Sequence, residues 1–147
     1  MIRHLAAALF ALALSVLHVG HSYADEAPSD DVAEQMIEAF SNCAGLFDTI
    51  SDHIEDTEPE AAAYYREVGN GAWAATVMSA LSETDGESAM ELANNLRGSR
   101  QVYWAAMIRV DGIQSQRVVN ALEFCASINN VQVELVKEFR RLIYGLE

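Results

Sequence analysis

Apolar residues in this chain recur at steps of three and four, and no stretch alternates as a strand would. From Val32 to Ile54 they fall at Val32, Met36, Phe40, Cys43, Phe47, Ile50 and Ile54. That spacing is one face of a helix, so the stretch reads as an amphipathic helix with a cysteine inside its apolar seam. Glu34, Glu38, Asp48, Asp52 and Glu55 then share the opposite, solvent-facing side. Ser29 or Asp30 can cap this helix, the early acids suit its positive end, and it should stop near Asp56.

Thr57-Glu58-Pro59-Glu60 is a start signal for a second helix, with a capping threonine, an early proline and a glutamate three residues on. Small residues dominate it, and Gly71, Ala75 and Ser79 stand four apart, so a neighbouring helix can approach closely. Gly69-Asn70-Gly71 is its weakest point, where a break or kink is expected. Thr84 and Glu87 offer a capping box for a third helix, whose apolar side reads Ala89, Leu92, Ala93, Leu96, Tyr103, Met107 and Val110. Arg100 falls on that stripe and needs either a carboxylate partner or a path to water. A fourth helix, capped by Asp111, carries Val118, Ala121, Leu122, Cys125, Ile128, Val131, Leu135, Phe139 and Leu142, with Asn129-Asn130 as a loosening point.

The two cysteines tie these elements together. Each lies about thirteen residues into its helix, roughly 20 Å along at 1.5 Å per residue. In an up-down-up-down bundle, helices one and four are antiparallel neighbours whose midpoints meet. The predicted fold is therefore an all-α four-helix bundle with a Cys43–Cys125 disulfide between helices one and four. The basic end of helix four, Lys137, Arg140 and Arg141, would lie beside the acidic start of helix one.

The first residues change the picture of where this domain works. Arg3 precedes an apolar run from Leu5 to Val19, and small residues at Ser22 and Ala24 precede Asp25. This is the pattern of a secretory signal cleaved after Ala24, and the run is shorter than the roughly 20 residues of a bilayer span. The expected organisation is a signal peptide over 1–24, a flexible lead over 25–29 and a helical domain over 30–147. The expected location is secreted or periplasmic, with no stable membrane insertion after cleavage. Two cysteines in an exported chain most simply form one bridge.

The formal net charge is −13, and between Asp25 and Arg66 a dozen carboxylates occur without a Lys or Arg. Such a surface repels phosphate backbones, which excludes nucleic acid as the expected partner. It admits a basic exported protein, and the acidic face of helix one (Glu34, Glu38, Asp48, Asp52, Glu55) is the expected contact. A second reading is a small-ligand or metal-binding bundle. Its groove would draw on Tyr65, Trp73, Arg100, Tyr103 and Trp104, since aromatic residues and arginine are favoured as interface anchors.

Metal chemistry finds little here. His53, Asp52 and Asp56 are weak candidates, but their spacing matches no EF-hand loop, and the one histidine left after cleavage cannot supply a di-iron bundle site. Cys-x-x-Cys-His is absent, so no covalent haem is expected, and no cofactor is. A nucleophile beside a base is not visible either. The expectation is a non-catalytic exported interaction protein.

Overall fold

The computed structural model describes residues 30–145, and the expected signal peptide, the lead and the Ser29 cap lie outside them. Among the described residues there are five helices: α1 (Asp30–Ile54), α2 (Pro59–Ala80), α3 (Gly86–Asp111), α4 (Gln116–Ser127) and α5 (Asn129–Tyr144). Cys43 and Cys125 are joined, with Cα atoms 5.8 Å apart. The all-α class and the bridge are as expected, but the architecture is not a simple four-helix bundle.

α1 is the axis of the domain. The seam residues Met36, Phe40, Cys43, Phe47 and Ile50 are buried, and so are Ser41, Ala44, Gly45, Leu46, Thr49 and Ser51 on its other sides. Burying a side chain such as Phe40 stabilises the fold by about 1.5–3 kcal/mol. The middle of this helix therefore has almost no wet face, unlike the amphipathic helix its pattern suggests. α2 and α3 pack along it, and α4 touches it near the bridge.

α2 returns antiparallel to α1 after a short turn, with Ser51 Oγ donating to the Ala62 carbonyl at 2.8 Å. Its N-cap is Glu58, without a side-chain cap bond, while Thr57 Oγ1 donates back to the Ile54 carbonyl. Gly69-Asn70-Gly71 does not interrupt it, and α2 is continuous for 22 residues. Both glycines sit where another helix presses on the backbone. A Cβ on Gly69 would lie 3.3 Å from Phe47 Cβ of α1, and one on Gly71 would lie 2.8 Å from Gln132 Nε2 of α5. Packing thus recovers what the glycines lose in helix propensity.

α3 starts one residue later than the capping box implied. Asp85 is the cap, its Oδ1 accepting from the Glu87 and Ser88 backbone N–H groups at 3.0 Å each. Those bonds, the Ser88 backbone bond first, hold the Asp85 carboxyl below the usual aspartate range. The buried stripe of α3 is Ala89, Ala93, Trp104 and Ile108, and Arg97 and Arg100 fill the gap at the same spacing. Leu92, Tyr103 and Val110 of the expected stripe are exposed. The face turns because both arginines find carboxylates on α1, which makes an arginine-containing stripe the better contact.

The last expected helix is two helices. α3 extends through Asp111 to a Gly112 cap with φ 88°, and α4 begins only at Gln116. Ile128, at φ −97° and ψ 3°, then separates α4 from α5. The break lets α4 stay on α1 at Cys125 while α5 crosses to α2. Gln132 meets Val68 and Phe139 meets Trp73, so contacts advance in the same direction along α2 and α5. The basic end of the chain consequently packs along α2.

Candidate functional site

The expected acidic contact face is occupied from within. Arg100 Nη2 pairs with the Glu38 carboxylate. Arg97 grips Asp48 with two bonds, Nε to Oδ2 at 2.5 Å and Nη2 to Oδ1 at 2.7 Å. Gln101 Nε2 donates to Asp52 Oδ2 at 2.8 Å, and Arg66 reaches Glu55 at 3.2 Å. Four of the five carboxylates thus fasten α2 or α3 onto α1 and the turn that follows it, and Glu34 is exposed with no ion pair among the described residues.

These pairs differ in weight. The Arg97 and Asp48 side chains are 23% and 12% exposed, whereas Glu38 is 58% exposed. Exposed pairs contribute about 0–1 kcal/mol, and hydrogen bonds to charged groups that are largely shielded about 1.5–3 kcal/mol. Asp48→Asn is therefore expected to lower unfolding free energy by about 2 kcal/mol. Glu38→Gln should cost less than about 1 kcal/mol. Urea titrations of the two variants read the order directly, and a larger loss for Glu38→Gln would contradict it.

The residues expected to line one groove are distributed over several places. Tyr65 stacks on Phe47 of α1 with ring centroids 6.1 Å apart. Trp104 is 3% exposed, and its Nε1 donates to Asn42 Oδ1 at 3.0 Å. Tyr103 is 43% exposed beside it, and Arg100 is held by Glu38. Trp73 alone of the five lines the open groove described next.

That groove, of about 900 Å³, runs between α2, α3 and α5. α2 contributes Tyr64, Glu67, Val68, Asn70 and Trp73; α3 contributes Asn94 and Arg97; α5 contributes Asn129, Gln132, Val133, Val136, Lys137, Phe139, Arg140 and Tyr144. Trp73 anchors its floor, Nε1 donating to Asn94 Oδ1 at 2.9 Å and its ring meeting Phe139 edge-on at 5.8 Å. Arg97 Nη2 also donates to Asn70 Oδ1 at 2.9 Å, so the guanidinium that binds α1 also steadies the groove wall.

Three cations face one carboxylate, Glu67, around this groove. Arg97 is neutralised by Asp48, and Lys137 Nζ lies 2.6 Å from Glu134. Arg141 is taken by Glu138: their side-chain hydrogen bond holds the carboxyl below its usual range and raises the guanidinium. Arg140 is exposed and enters no ion pair among the described residues. The sequence carries a trace of this site, because α5 is where an acidic chain gathers positive charge. The partners Asn70, Asn94 and Gln132 carry no such signal.

A second hollow, of about 410 Å³, lies between α1 and α3 and is lined by Thr49, Asp52, His53, Gln101, Ala105, Ile108 and Arg109. It includes the expected metal candidates His53 and Asp52. Among the described residues, no three His, Cys, Asp or Glu side chains form a group able to hold a metal ion. Compared with protein-family models, curated proteins and solved structures, the chain shows no match. No described helix is long and apolar enough to cross a membrane.

Proposed function

We propose that this chain is an exported, non-catalytic binding protein that takes its ligand or partner in the groove between α2, α3 and α5. The observation that carries the reading is the convergence there of Trp73, Phe139 and Tyr64 with Lys137 and Arg140, in a protein of formal net charge −13. Ligand sites are concave, mostly apolar and furnished with a few polar groups, and this groove has that constitution. The buried Cys43–Cys125 bridge is consistent with an oxidising compartment. A basic partner on the acidic face of α1 has less to hold, since four of its five carboxylates already serve α2 and α3.

Hydrogen–deuterium exchange tests this on the full chain, alone and mixed with the concentrated exported fraction of its own host. Added protection is expected in 64–74 and 129–144, with α4 unchanged. Protection confined to the carboxylate-bearing side of α1, or none anywhere, would overturn the groove as the binding site.

A further inference from the structure

We infer that the groove selects small organic carboxylates with an apolar ring or chain, a reading that rests on the groove being the binding site. Its hydrogen-bonding groups are already sorted by the internal bonds of the fold. Asn94 Oδ1 accepts from Trp73 and Asn70 Oδ1 accepts from Arg97, so each of these amides retains its NH₂ donors for a ligand. Arg140 adds a guanidinium with no ion pair among the described residues, and Lys137 adds an ammonium whose Glu134 partner is itself exposed. The remaining polar supply thus leans to donors: against them stand the Glu67 carboxylate and the amide oxygens of Gln132 and Asn129, while the Tyr64 and Tyr144 hydroxyls can donate as well as accept. A donor-rich wall is complemented by an acceptor-rich head, and a carboxylate is the compact group that takes a guanidinium through two parallel bonds.

The other wall specifies the body. Trp73 and Phe139 meet edge-on, and Val68 and Val136 continue the apolar lining. An aromatic ring or a short aliphatic chain has a surface to cover there. The size of the ligand follows from charge. A long acidic polypeptide would meet the repulsion of a chain at −13, which acts over a Debye length of about 10 Å at 0.1 M salt. A ligand with one carboxylate feels that field once, while its head lies within contact distance of Arg140.

Isothermal titration calorimetry with matched pairs tests the inference: octanoate against octanamide, and 4-phenylbutyrate against 4-phenylbutyramide. Each carboxylate is expected to bind saturably and at least about tenfold more tightly than its amide. Arg140→Gln, at an exposed position with no ion pair among the described residues, should weaken the carboxylates about tenfold and leave the amides unchanged. Arg109→Gln, at the other hollow, should change neither. Equal affinity for acid and amide, or carboxylate binding unmoved by Arg140→Gln, would overturn the ligand class. So would failure of both carboxylates to bind a chain whose groove the host fraction protects. If the host fraction protects nothing, the groove itself is wrong, and the two failures are distinct.

Discussion

Replacing Cys43 and Cys125 together by alanine is expected to remove up to about 4–5 kcal/mol of unfolding free energy. The bridge joins residues 82 positions apart, and cross-linking so long a loop withdraws much conformational freedom from the unfolded chain. Domains of this size are stable by about 5–15 kcal/mol in total, so the variant should be marginal at 37 °C. The loss should also be uneven. α4 is only 12 residues long, buries only Val118 and Cys125 and is bonded to α1 through Cys125, while α5 has its own contacts along α2. Hydrogen exchange in the variant should therefore rise first in 116–127. Urea unfolding of the oxidised protein and the double variant gives the magnitude. A change below about 1 kcal/mol would contradict the chain-entropy account.

Gly45→Val is the second large effect, expected at about 3 kcal/mol or more. Gly45 is where α1 and α3 cross. A Cβ there would stand 2.4 Å from Arg100 Cβ, 2.6 Å from the Gln101 backbone nitrogen and 2.7 Å from the Arg100 carbonyl carbon. Main-chain atoms cannot rotate out of the way, so the helices must separate. Separation would also strain the bond from Thr49 Oγ1 to the Gln101 carbonyl, at 3.2 Å, and the grip of Arg97 on Asp48. Gly98 is the internal control. It lies on the exposed side of α3 with nothing within 4 Å of a Cβ, so Gly98→Ala should stabilise the protein by up to about 1 kcal/mol through helix propensity. Thermal melts of both variants should move in opposite directions. A Gly45→Val protein as stable as the parent would mean that α1 and α3 do not cross there.

The groove shows where legibility ends. Trp73 stands out in sequence as a large aromatic, and Lys137 and Arg140 stand out as positive charge near the end of an acidic chain. Their meeting does not, because it depends on α5 leaving the line of α4 at Ile128 and lying along α2. Asn94 and Gln132 are ordinary polar positions in any periodic reading. They acquire a role only through Trp73 Nε1 and the Val68 carbonyl.

Helical class, the seam from Met36 through Phe40 and Cys43 to Ile50, and the pairing of the two cysteines all follow from the order of residues alone. Each rests on near-neighbour spacing or on there being one possible partner, and such information is local or combinatorial. Which face of α3 turns inward is different. Hydropathy favours a stripe with Leu92, Tyr103 and Val110, yet the inward stripe runs through the half-buried Arg97 and Arg100, which meet Asp48 and Glu38 of α1. The same holds for Gly69 and Gly71, which weaken an isolated helix and tighten a packed one. A charge or a missing side chain has no fixed sign in a periodic pattern. Its contribution is set by the atom opposite, and only the tertiary structure supplies that atom.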